Sequence, residues 1–216
     1  MPVLATVAAV TLASDTGSLI GQHVELVPLE PGHAAELTAA AGTDRSTYQF
    51  TEVPETREAM DKHIAWLLAL RDADDAVPFT QRLSATGRIV GCTRLMELRR
   101  WRGRPEPDEA EIGGTWLAAD VQRTVVNTES KLLLLTHAFE SWNVDRVALA
   151  TDERNERSRA AILRLGATFE GILRNHRPSR VPGEEGLARN TALFSITSAD
   201  WPAVRQRLVD RLDQVG

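Results

Sequence analysis

The chain has 216 residues, 43% of them hydrophobic and 25% charged, which suits one soluble globular domain and is short for two. A formal net charge of −5 argues against nucleic acid as the main partner, since phosphate binding wants a basic face, but leaves room for a local basic pocket around one anionic ligand. The single cysteine, Cys92, excludes an internal disulfide and a cysteine-cluster metal site, and its apolar setting reads as a buried structural thiol.

Residues 3–13 are apolar and small. No Lys or Arg precedes them, so the basic part of a signal peptide is missing, and the run is too short to span a bilayer. The expectation is a tail or an added edge strand over residues 1–17, then one domain over 18–216, in a cytoplasmic protein with no membrane partner. Alternation predicts a strand over 24–29, broken by Pro31-Gly32. A helix follows over 33–41, stopped by Gly42. Residues 43–56 form a long polar loop carrying Tyr48, Phe50 and Pro54. The stripe of Met60, Ile64, Leu67 and Leu68 predicts a helix over 57–71. Strands are expected over 77–83 and 88–98, joined by a turn at Ala85-Thr86-Gly87.

In the next loop, Arg99, Arg100, Arg102 and Arg104 are balanced by Glu106, Asp108 and Glu109, which reads as a solvated hairpin tip. A strand over 111–118 leads to a helix over 127–142 built around Leu132 to Leu135. Then come a strand over 146–151, a helix over 155–165 closed by Gly166, a strand over 167–176, a strand over 191–197, and a helix capped by Asp200. The order β-α-α-β-β-β-α-β-α-β-β-α, a meander followed by βαβ units, predicts an α/β (α+β) fold. Its sheet is mixed and twisted, with helices on both faces.

Two strand-loop-helix turns could bind an anion, because first-turn N–H groups lack intrahelical partners and the helix dipole favours negative charge. One carries Gln122, Arg123, Thr124, Asn127 and Thr128. The other opens with Asn155 and has the hydroxyl of Ser158 three residues on. Each is equally readable as an ordinary capped helix, with Asn127 or Thr128 as the first cap and Asn155 as the second. His137 and the five tryptophans read as packing residues, and Tyr48 as an anchor for its loop. No P-loop, nucleophile elbow or zinc-protease motif is present.

The stretches VQRTVVNTESKLLLL (residues 121–135), NERSRAAILRLG (155–166) and EIGGTWLA (111–118) resemble the GNAT superfamily of acyl-CoA-dependent N-acetyltransferases. The likeness is to the branch of ribosomal-protein alanine N-acetyltransferases (RimJ/RimL-like). It runs loosely over residues 21–197 and specifically over 111–171. The family's Q/R-x-x-G-x-G/A loop falls on residues 122–127. Gln122 matches; Val125 and Asn127 stand where glycines are usual, and Asn127-Thr128-Glu129-Ser130-Lys131 matches an N-T-E-x-K variant.

The resemblance implies the GNAT fold and acetyl-CoA, or another acyl-CoA, as the donor. It places that ligand on Trp116, Leu117 and Ala118, on Gln122, Arg123, Thr124, Val125, Val126, Asn127 and Thr128, and on Asn155 and Ser158. By the same resemblance Ser158 protonates the leaving thiolate. The acceptor is a primary amine, on a protein N-terminus or a small molecule, and no metal is involved. Glu111 is the first choice for the general base and Glu97 the reserve, with Glu129 assigned to the helix dipole. The protein is expected to be a monomer or a homodimer. The alternative is a GNAT-like module that binds acyl-CoA as a sensor, or that has lost its chemistry.

Overall fold

A computed structural model describes residues 12–214. Most of the expected tail or added strand, residues 1–11, lies outside them. Its end, α1 (Leu12–Asp15), is one helical turn, which Asp74 holds by accepting from the Ala13 N–H.

The elements then follow in the expected order, with one addition. A two-residue strand, β1 (Leu19–Ile20), pairs with β2 (Val24–Pro28). After β2 come α2 (Ala34–Ala41), α3 (Arg57–Asp72), β3 (Ala76–Leu83), β4 (Ile89–Arg99), β5 (Glu109–Leu117) and α4 (Val125–Thr136). The chain closes with β6 (Arg146–Asp152), α5 (Glu156–Leu165), β7 (Thr168–Pro178), β8 (Ala188–Thr197) and α6 (Trp201–Asp213). The eight strands form one sheet in the order β1-β2-β3-β4-β5-β6-β8-β7. Every pairing is antiparallel except β5 with β6. Helices α2 and α3 cover one face around Leu37, Met60, Ile64 and Leu67; α4 and α6 cover the other around Leu134, Leu135, Val204 and Leu208.

Helix ends follow their capping chemistry. The Thr56 side chain accepts from the Ala59 N–H at the start of α3, and Gly166, at φ +105°, lets the chain leave α5 through the left-handed region. Strand ends shift from the sequence reading by up to three residues, and three helix ends differ from it in their chemistry. Helix α4 starts two residues earlier than expected and is capped by Thr124, whose hydroxyl accepts from the Val126 N–H; Asn127 and Thr128 lie inside the helix. Its far end passes into a π turn over His137–Ser141. Asp200 does not cap α6 with its side chain, because that carboxylate accepts from the Thr197 N–H and hydroxyl.

The feature that makes room for a site is the divergence of β5 from β6. The two pair in parallel from Glu109↔Arg146 to Ile112↔Leu149, and there the pairing ends. In the same region β5 bulges against β4: Thr93 faces two residues, Gly114 and Thr115, between the pairs Cys92↔Trp116 and Arg94↔Gly113. Gly114 takes φ +57°, a left-handed conformation that glycine adopts without penalty. The bulge bends β5 away, and α4 and α5 start on either side of the gap.

Candidate active site at the strand splay

Two cavities open at this splay. The helix-end cavity, about 510 Å³, lies at the start of α4 and α5. The sheet-side cavity, about 480 Å³, lies over β4, β5 and the ends of β7 and β8. Both are lined by Thr115, Asn127 and Ser158, so they meet there.

The helix-end cavity is built from donors. With Thr124 as cap, the N–H groups of Val125 and Asn127 have no acceptor inside α4. At α5, Asn155 accepts from the Ser158 N–H at 3.0 Å, fixing that helix end beside the first. Arg123, Arg157, Arg164 and Arg211 add positive charge to the lining. Gln122 ties the walls together. It donates to Thr47 and to the Leu117 carbonyl, and accepts from Arg157 at 2.7 Å. Tyr48 donates to the same carbonyl at 2.9 Å and meets the Trp116 ring edge-on, so it anchors its loop to the groove wall. Alternation along the β4–β5 ladder turns the Leu117 N–H away from β4, toward the open side, while the Ala118 N–H is taken by the Val90 carbonyl. The arrangement can hold a polyanion at two helix ends and an extended chain along β5.

At the junction, Ser158 Oγ has no hydrogen-bond partner among the described residues, so its proton is available to a ligand. Lys131 reaches the sheet-side cavity from α4 and is 6% exposed. Its ammonium donates to Thr115 Oγ1 at 2.6 Å and has no carboxylate partner. Burial pushes its pKa down from 10.5 to about 7, so near neutral pH a large share of the side chain is the free base. Glu111, 5% exposed, also lines this cavity, but both its oxygens accept from Arg177, at 2.7 and 2.8 Å. Glu97, at φ +53°, lies at the rim and reaches Arg177 at 3.5 Å.

The structure thus gathers Trp116, Leu117, Gln122, Arg123, Thr124, Asn127, Thr128, Asn155 and Ser158 at one cavity, and Glu111 at the cavity joined to it. It does not bring Ala118, Val125 or Val126 to the lining; Ala118 and Val126 are buried in the core. Glu129 is not at the helix dipole. Its carboxylate accepts from the backbone N–H groups of Gln22, His23 and Val24 at 2.7–2.8 Å, so it holds the β1–β2 turn. Cys92 is buried with its thiol pushed up to about 12, as an inert structural thiol should be. His137 packs on Trp142 at 4.7 Å between ring centroids. Among the described residues no cluster could hold a metal ion, and no helix is long and apolar enough to cross a membrane.

Sequence reasoning missed Lys131, Arg94 and Arg189. The signal for Lys131 was periodicity: it lies four residues after Asn127 and four before the buried Leu135, so a helix puts all three on one face. The two arginines come from strands distant in sequence, and only the fold brings them together.

The family model described as an acetyltransferase (GNAT) domain matches residues 23–168. A provisional ribosomal N-acetyltransferase of Bacillus subtilis (strain 168), YdaF, is 30% identical over 93 residues; the match takes in 43% of this chain and 48% of that protein, under half its length. A GCN5-related N-acetyltransferase from Brucella melitensis superposes with a TM-score of 0.75 at 28% identity, covering 89% of this chain and 84% of that one. RimJ of Mycobacterium smegmatis, solved in complex with CoA-disulfide, superposes at 0.72 with 22% identity over 87% and 88% of the two chains, a likeness of fold.

Proposed function

The chain belongs to the acetyltransferase (GNAT) domain family, and from that premise we propose that it moves an acetyl group from acetyl-CoA to a primary amine held in the sheet-side cavity. The observation that carries the reading is the meeting of two chemically different cavities at Thr115, Asn127 and Ser158. One side offers helix-end donors and arginines suited to the phosphates of an acyl-CoA. The other holds titratable groups suited to an amine. The CoA-disulfide in the Mycobacterium smegmatis RimJ structure supports the same ligand class on this fold.

Acetyl-CoA supplies a thioester whose C–S bond breaks as the amine nitrogen bonds to the carbonyl carbon. The chain supplies the rest. The Asn127 N–H and Arg123 bind the phosphates, and the Leu117 N–H fixes the extended arm along β5. Ser158 Oγ holds a proton at the junction and gives it to the departing sulfur. The proton lost by the amine goes to Glu111 through a water. A second reading gives that proton to Lys131, and one observation favours it: Glu111 is shared with Arg177, whereas Lys131 has no charged partner and titrates near neutrality.

The test is a thermal shift series with acetyl-CoA, CoA and longer acyl-CoAs, followed by thiol release across an amine panel. Ligand at about a hundred times its Kd adds roughly 2.7 kcal/mol to the native state. Acetyl-CoA should stabilise the protein and release thiol only when an amine is present. No stabilisation by any acyl-CoA, or no amine-dependent thiol release, removes the proposal.

A further inference from the structure

We propose that the acceptor is a small amine that also carries an anionic group, in the first instance a carboxylate, and that Arg94 and Arg189 bind that group in the sheet-side cavity. The inference rests on the reading of that cavity as the amine site.

The charges lining the cavity do not balance. Four arginines, Arg94, Arg177, Arg180 and Arg189, face three carboxylates, Glu52, Glu97 and Glu111. Arg177 takes Glu111 at 2.7 Å and Glu97 at 3.5 Å, and Arg180 takes Glu52 at 2.8 Å. Among the described residues, no carboxylate lies within ion-pair distance of Arg94 or Arg189. The Arg189 Nε is buried without an acceptor. Arg94 Nε meets only the Met96 sulfur, at 3.3 Å, and its guanidinium lies 5.4 Å from the Trp66 ring centroid. Both residues are half-buried, and a guanidinium that is partly withdrawn from water without a carboxylate is costly; here two line one cavity. Both arginines are held below the usual arginine range, chiefly by burial.

Two backbone features keep these side chains in place. A Cβ at Gly114 would stand 2.3 Å from Arg94 Nη1, so the glycine of the β5 bulge leaves the space the guanidinium fills. Arg189 on β8 sits directly opposite Arg177 on β7, a like-charge pair that by itself disfavours the pairing. Glu111 answers Arg177, and Arg189 is left facing the cavity. Planar guanidiniums recognise carboxylate or phosphate oxygens in pairs. A cavity of about 480 Å³ takes a molecule of amino-acid size. The same positive field disfavours a protonated amine beside it and so favours the neutral form that attacks.

The experiment compares matched acceptors: amino acids, their amides, and an amine bearing a phosphate in place of the carboxylate. Wild type should prefer the acid over its amide in kcat/KM by at least about tenfold, the low end for a charge-assisted hydrogen bond. Arg94→Gln, Arg189→Gln and Gly114→Ala should each shrink that ratio. The phosphate arm decides which oxyanion fits better. Calorimetry with N-acetylated amino acids and their amides reads the same preference without turnover. If the acid binds better than the amide but no thiol is ever released, the anion site stands and the transferase reading fails. If amines are acetylated but acids and amides serve equally, or the variants reduce both alike, the anion site is refuted. A peptide N-terminal amine used in preference to every small anionic amine also overturns it.

Discussion

Replacing Lys131 by methionine removes a buried charge and leaves a side chain of similar length. The gap between the ordinary lysine value of 10.5 and about 7 sets the penalty for burying the ammonium at roughly 5 kcal/mol. Methionine also loses the hydrogen bond to Thr115, about 1 kcal/mol, so the expected net gain at pH 6 is on the order of 4 kcal/mol. The sign follows from proton binding. Between about 7 and 10.5 the unfolded chain holds the proton and the folded chain does not, so wild-type stability rises with pH across that window. Below about 7 the full penalty is present. The advantage of Lys131→Met should therefore narrow by about 2 kcal/mol between pH 7 and pH 9. Urea unfolding of both proteins at pH 6, 7 and 9, followed by circular dichroism, measures the gap. A gap independent of pH, or a variant less stable than wild type at pH 6, would refute the picture of an unpaired buried amine.

Four other outcomes follow from the geometry. Glu129→Ala strips the acceptor from three backbone N–H groups and should cost about 3–5 kcal/mol, with Glu129→Gln intermediate, by the same unfolding assay; a neutral Glu129→Ala would mean that the β1–β2 turn does not depend on it. Arg123→Gly relieves a left-handed residue at φ +65° and should stabilise the free protein by about 1 kcal/mol while weakening acyl-CoA binding; calorimetry that finds affinity unchanged would take Arg123 out of the ligand site. Ser158→Ala should lower turnover on the order of a hundredfold with acyl-CoA affinity nearly intact, and high pH should not rescue it. High pH should partly rescue Glu111→Gln, because a neutral amine needs no base. A Glu111→Gln profile parallel to wild type, with Lys131→Met losing its rise through pH 7, would assign the base to Lys131.

Element order was legible because it is written in periodicity and punctuation. Thr56, Asn155 and Gly166 act at helix ends as their chemistry dictates. The start of α4 was not legible to the residue. Thr124, Asn127 and Thr128 are all good caps, and the choice among them depends on where the Ala119–Val121 turn delivers the chain. The two missing glycines of the loop have a physical account as well. Val125 is the first residue of a regular helix, and the left-handed step falls on Arg123, so neither Val125 nor Asn127 needs a positive φ. The pairing of Glu111 with Arg177, across 66 residues, had no local signal.

Four successive residues at the start of α4, Thr128 to Lys131, are polar and buried, which costs stability unless each is answered. Glu129 is answered by the β1–β2 turn, and Ser130 by Gln81, which also donates to the carbonyls of Cys92 and Trp116. Lys131 is answered by Thr115 at the bulge. The helix is therefore pinned to β2, β3 and β5 by directional bonds, and to β4 through Gln81, as well as by leucines. Leucine packing fixes distance but tolerates a slide along the sheet, whereas a hydrogen bond tolerates little. A site that must bring an acyl carbon and an amine into contact fails at misplacements of about 1 Å. The polar stripe trades some stability for that registration. It also makes Lys131, which is answered by a hydroxyl instead of a carboxylate, the member of the stripe left free to take up a proton.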